Sequence, residues 1–124
     1  MRGLILFAHG ARDPRWAQPF EQTAKLVRER QPGRPVLTAF LEFMSPDLAA
    51  AGQQLAEAGC SSVDVLPLFL GSGGHVRKDL PAKVQALRDQ WPQVSWTLQP
   101  AIGESPLLLE AMARIATELP DTQP

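Results

Sequence analysis

Hydrophobic and polar positions along the chain fall into two alternating rhythms. Compact apolar runs occupy positions 3–8, 36–41 and 63–70, with a shorter mixed one at 94–98, and each leads into a stretch where apolar residues recur every three or four positions. Runs this short and this rich in β-formers predict strands buried on both faces, the kind found in parallel sheets. The intervening spacing predicts helices. The first runs from Arg15 to about Arg30, with Asp13 as cap, Pro14 at its first position, and Trp16, Phe20, Ala24 and Val27 on one stripe beside Leu26. The second is expected to be capped by Ser45, opened by Pro46 and carried by Leu48, Ala51 and Leu55 to Ala58, where Gly59 ends it. A third follows Leu80-Pro81 with Val84, Leu87 and Trp91, and Pro92 closes it. The last spans Leu107 to about Leu119, leaving 120–124 as a frayed tail.

Strict alternation of strand and helix with short connections implies an α/β fold of three layers: a four-stranded parallel sheet with helices on both faces. A flavodoxin-like strand order 2-1-3-4 is expected, with its switch point between the first and third strands. The 124 residues suffice for one core and not for two, so one domain is expected over 1–119.

Two of these runs end on the chain's two histidines. His9-Gly10 follows the first strand, and His75 follows the third across Gly71-Ser72-Gly73-Gly74; the second strand ends on Glu42. Ligands of open α/β sheets lie beyond the carboxyl ends of the strands, so parallel strands would bring both imidazoles and the carboxylate to one edge. Groups of that kind can bind a divalent cation or move protons. The glycines at 71, 73 and 74 are expected to take positive φ and let the backbone approach a ligand.

A lone histidine is usually a surface or capping residue; two at the same edge make a much stronger case. Glu42 is weaker evidence, because a carboxylate after a strand equally often caps a helix or faces water. Arg12, Arg77 and Lys78 lie within three residues of the histidines. Singly they read as solvated loop charge, but together with glycine-turn and helix N-terminal N–H groups they form a rim suited to an anion. The glycine turn matches neither a dinucleotide fingerprint nor a phosphate-binding loop. Trp16 and Trp91 fit helix packing, with Trp16 near enough to His9 to touch a flat ligand.

A net charge of −1 gives no general attraction to nucleic acid or to anionic membranes. The single cysteine, Cys60, lies on the opposite sheet edge as a small semi-buried residue; with no partner for an internal disulfide, it suits a reducing cytoplasm. The N-terminal run is no signal peptide and falls far short of the ~20 apolar residues of a membrane span.

Three stretches together are specific where each alone is weak. Leu-Phe-Ala-His-Gly-Ala-Arg-Asp-Pro at 6–14, Ala-Phe-Leu-Glu-Phe-Met at 39–44, and Pro-Leu-Phe-Leu-Gly-Ser-Gly-Gly-His-Val-Arg-Lys-Asp-Leu-Pro at 67–81 resemble the CbiX/SirB family of small class II chelatases. The resemblance runs through the final helix. It implies ATP-independent insertion of cobalt, or of iron or nickel, into sirohydrochlorin on the way to cobalamin or sirohaem. It further implies that His9 and His75 hold the metal and accept pyrrole protons, that Glu42 assists as a carboxylate, and that no cofactor beyond the substrate metal is needed. Larger members have two such domains facing each other, so a homodimer is expected of this chain. One departure is Ala11, where the family often has serine, so a hydroxyl contact there is missing.

The chemistry suits the residues. Metal insertion exchanges two pyrrole N–H protons for one M²⁺, and imidazoles titrating near neutrality both release a metal and take up protons, whereas thiolates would hold cobalt or iron too tightly. The carboxylates of sirohydrochlorin give a purpose to a rim of Arg12, Gly71, Ser72, Gly73, Gly74, Arg77 and Lys78. Two alternatives stand against it. A metal carrier without turnover would use the same two histidines. A histidine phosphatase, superficially similar at 4–10, would need arginine where Ala8 stands.

Overall fold

The computed structural model describes residues 1–71 and 73–121, without the side chain of His75. Ser72 and 122–124, which include most of the expected tail, lie outside the described residues. Strands β1 (Arg2–Ala8), β2 (Val36–Phe40), β3 (Ser62–Pro67) and β4 (Ser95–Leu98) form one parallel sheet in the order β2-β1-β3-β4. Helices α1 (Gln18–Arg30), α2 (Leu48–Glu57), α3 (Gly74–Gln90) and α4 (Pro106–Thr117) follow the strands in turn. The expected fold class and strand order are those observed.

Side chains alternate across the sheet. Ile5 and Phe7 of β1 with Val63 and Val65 of β3 bury against Leu48, Ala51 and Leu55 of α2 and Leu80, Val84 and Leu87 of α3. The opposite face, with Leu4, Leu6 and Val36, packs on Ala24 of α1 with Val27, Leu66 and Leu68 alongside. Burying each Leu, Ile or Val is worth about 1.5–3 kcal/mol, so both faces of the sheet contribute to stability.

Several boundaries differ from the sequence expectations. The first helix opens as a 3₁₀ turn, Pro14–Ala17, capped by Asp13 accepting the Arg15 N–H at 2.9 Å; α1 proper begins at Gln18, because Pro19 has no N–H for an α-type ladder. Helix α2 is capped by Asp47, whose carboxylate accepts the Ala50 N–H at 2.8 Å, rather than by Ser45. Pro46 is instead tied to the sheet: its carbonyl accepts the Phe40 N–H at 2.9 Å, and the Ser45–Pro46 peptide is cis. Strand β3 stops at Pro67, three residues short of the apolar run.

Helix α3 starts at Gly74, well before Leu80, and runs through Pro81. Val76, Leu80, Val84 and Leu87 form one stripe against the sheet, and that packing carries the helix past a proline whose ring faces solvent. This early start also corrects the expected glycine conformations. Gly73 is the extended N-cap (φ −65°) and Gly74 is helical, while positive φ among the glycines occurs at Gly10, Gly33 and Gly59.

Helix α4 is the exception to the packing rule. It has no buried residue, and Leu107, Leu109, Met112 and Ile115 are all exposed, as is Leu119 just beyond it. Between α4 and the sheet lies a groove of about 810 Å³, with Leu4 and Leu66 on one side and Leu108 and Ala111 on the other.

Candidate functional site

Parallel pairing sends the ends of β1, β2 and β3 to one edge. Ala8 is level with Phe40 and Phe7 with Pro67, so the residues just beyond, His9, Leu41 and Phe69, lie side by side. The Glu42 N–H donates to the His9 carbonyl at 3.0 Å, and the Leu41 N–H to the Ala8 carbonyl at 2.9 Å, which ties the two connections together. Gly10 follows at φ +90°, and a Cβ there would run into the Glu42 carbonyl, so only glycine lets the two loops approach so closely.

The half-buried His9 side chain turns to the α2/α3 face, where its ring rests on Phe69 with centroids 4.4 Å apart and planes at 37°. Phe69 is buried and meets Phe7 edge-on at 5.9 Å. A line of three rings thus anchors the imidazole to the core. Sequence reasoning missed Phe69, although register alone sets it level with His9.

The backbone of His75 lies in the first turn of α3. Val76, the next residue, packs against the cluster that contains Phe69, so this turn and the His9 ring share a face and an edge. The His75 side chain and Ser72 lie outside the described residues. Gly71, Gly73 and Gly74 have open space around their Cα atoms, room for a ligand to approach. Arg77 and Lys78 are exposed on the same turn, and Glu42 is exposed at the end of β2. Among the described residues no three His, Cys, Asp or Glu side chains are grouped to hold a metal.

Arg12 is exposed, with its Cζ 4.6 Å from the centroid of the Phe43 ring. Trp16 packs on Phe20 at 4.6 Å and approaches Phe40 at 6.5 Å, which makes it part of the α1 packing. Cys60 is fully buried rather than semi-buried, at the opposite edge; burial pushes its thiol above the usual range, so it remains protonated near neutral pH. The α4 groove, though roomy, includes none of the candidate site residues. Size and chemistry disagree, and chemistry decides, because the imidazole and basic side chains lie at the carboxyl edge.

The fold and this edge define a small three-layer α/β protein with a histidine in the chain just beyond the carboxyl end of each of β1 and β3. The chain belongs to the CbiX family, whose profile matches residues 3–119. It is 33% identical over 91 residues to a sirohydrochlorin cobaltochelatase of Methanopyrus kandleri, covering 73% of this chain and 63% of that one. It is 30% identical over 88 residues to the protein of the same name in Sulfurisphaera tokodaii, covering 71% and 72%. A CbiX protein from Marinobacter aquaeolei VT8 superposes with a TM-score of 0.84 at 32% identity over 95% of this chain and 96% of that one. SirB from Bacillus subtilis subspecies spizizenii, solved with cobalt, shares the fold with a TM-score of 0.74 at 19% identity, and this chain spans 50% of its length.

Proposed function

We propose that this chain inserts a divalent metal into sirohydrochlorin without ATP, cobalt first and iron or nickel as alternatives, in a cytoplasmic route to cobalamin or sirohaem. The observation that carries the reading is His9 set on Phe69 at the same edge and face as the first turn of α3, which bears His75. Membership of a family whose relatives bear the name sirohydrochlorin cobaltochelatase supports it. No described helix is long and apolar enough to cross a membrane.

In this reading residues 1–119 act as one domain. His9 and His75 hold M²⁺ through neutral imidazole nitrogens, leaving most coordination positions open to the macrocycle. As the four macrocycle nitrogens replace these ligands, two N–H bonds and the two imidazole–metal bonds break, four N–M bonds form, and the two protons pass to the freed imidazoles and then to water. Glu42, exposed beside His9, takes part as a carboxylate acceptor. Arg12, Arg77 and Lys78, with the backbone of Gly71, Ser72, Gly73 and Gly74, hold the substrate carboxylates.

The working unit is a homodimer formed through α4. Leu107, Leu109, Met112, Ile115 and Leu119 leave a run of large apolar side chains open on and just beyond one helix, a surface suited to an interface. The groove beside α4, lined by Leu4, Leu66, Leu108 and Ala111, extends the apolar surface that a second copy would cover in this reading.

Purified protein, metal-free sirohydrochlorin and Co²⁺, without ATP, test the activity through the change in tetrapyrrole absorption, with Fe²⁺ and Ni²⁺ in parallel. A rate well above the protein-free control is expected. A rate equal to that control, with stoichiometric Co²⁺ bound, would establish a carrier instead.

A further inference from the structure

Beside the candidate site, a bulky aromatic residue adopts a conformation that L-residues avoid. Phe43 has φ +65°, and it is the one non-glycine residue with positive φ among those described. The Met44 N–H donates to the Glu42 carbonyl at 2.8 Å, closing a tight turn with Phe43 at its centre. A phenylalanine at positive φ is strained, and such strain persists where the surroundings force it. Here they do: the Glu42 carbonyl sits against Gly10, the Glu42 N–H is bound to His9, and the Phe40 N–H to Pro46.

The strained turn does not bury its aromatic ring. Phe43 is 57% exposed, with the Arg12 guanidinium stacked on it. Strand order places Phe43 after β2, His9 after β1 and Leu70, also exposed, after β3, so an aromatic and an aliphatic side chain flank the imidazole along one edge. A free phenyl ring has no reason to be held in water at that cost unless it meets a ligand. A guanidinium stacked on it keeps its N–H edge available for a carboxylate.

We propose that Phe43, carrying Arg12, is a stacking platform for a flat conjugated macrocycle with peripheral carboxylates, and that it sets how the ring lies over His9. This rests on the tetrapyrrole reading above and adds a substrate-positioning residue to it. The ring supplies π contact, Arg12 binds a carboxylate at the macrocycle's periphery, and the locked turn prevents the platform from swinging away.

The test separates binding from folding because glycine relieves the strain while removing the ring. Wild type, Phe43→Gly and Phe43→Trp are titrated with metal-free sirohydrochlorin, and their thermal midpoints are measured. Phe43→Gly is expected to have an equal or higher midpoint and about tenfold weaker binding. Phe43→Trp should bind within about twofold of wild type, since a larger ring preserves the platform. Undiminished binding by Phe43→Gly, a binding loss that follows a fall in its midpoint, or a Phe43→Trp as weak as the glycine variant would overturn the platform alone. Failure of the wild type to bind sirohydrochlorin would overturn the tetrapyrrole reading with it.

Discussion

The His9 imidazole lies on the Phe69 ring at 4.4 Å, and Phe69 in turn meets Phe7, so the candidate ligand is braced by the hydrophobic core. Replacing Phe69 by leucine keeps most of the apolar volume but removes the flat support. Phe69→Leu is expected to cost about 1 kcal/mol of stability, as a shape change in a packed core does. The rate of metal insertion should fall severalfold at saturating substrate, because the imidazole is less well held. Denaturant titration and steady-state assays check the two effects separately.

Gly10 is the second support of the same loop. In Gly10→Ala the new methyl group meets the Glu42 carbonyl at a backbone φ of +90°, so both left-handed strain and a clash enter together. A loss of about 2 kcal/mol or more is expected, with insertion activity reduced even at temperatures where the variant stays folded. Urea unfolding beside a rate measurement at 25 °C checks both.

Far from that edge, Asp64 in β3 is a structural carboxylate. It accepts from Arg2 at 2.8 Å, Arg34 at 3.0 Å and Gln99 at 3.1 Å, and the Arg34 side chain is largely buried. Asp64→Ala would leave the Arg34 guanidinium only Gln31 Oε1 at 2.8 Å and the Arg2 carbonyl at 3.2 Å, at a cost of about 2 kcal/mol. Thermal unfolding should shift strongly, while activity of the folded fraction stays at the wild-type level.

How far the sequence foretold this molecule depends on which interactions decide each feature. Order 2-1-3-4 and the edge shared by His9, Glu42 and the His75 backbone follow from apolar periodicity and parallel crossover rules, both written locally in the chain. The start of α3 was illegible, since Pro81 suggests a helix opening while tertiary packing of Val76 and Leu80 overrides it. Asp47 rather than Ser45 caps α2, because a hydrogen bond from Phe40 commits Pro46 to the end of β2. Phe43 could not be read at all: nothing in its neighbours along the chain announces a left-handed phenylalanine, which is imposed by the loop around His9 and Gly10.

Exposure of α4 gives a further expectation. Ile115 is 66% exposed, on the helix proposed to pair two copies, and Leu119, just beyond its end, is 67% exposed. Ile115→Glu with Leu119→Glu should convert a dimer to a monomer in sedimentation velocity and leave thermal stability within about 0.5 kcal/mol of the isolated subunit, since neither side chain packs on its own domain. A wild type that already sediments as a monomer would remove the α4 interface.

The most direct test of the central claim is X-ray absorption at the cobalt edge for Co²⁺ bound to the protein in the absence of tetrapyrrole. Two imidazole ligands are expected for the wild type, one for His9→Ala and one for His75→Ala, and none for the double variant. A cobalt environment unchanged by either single substitution would contradict the shared site.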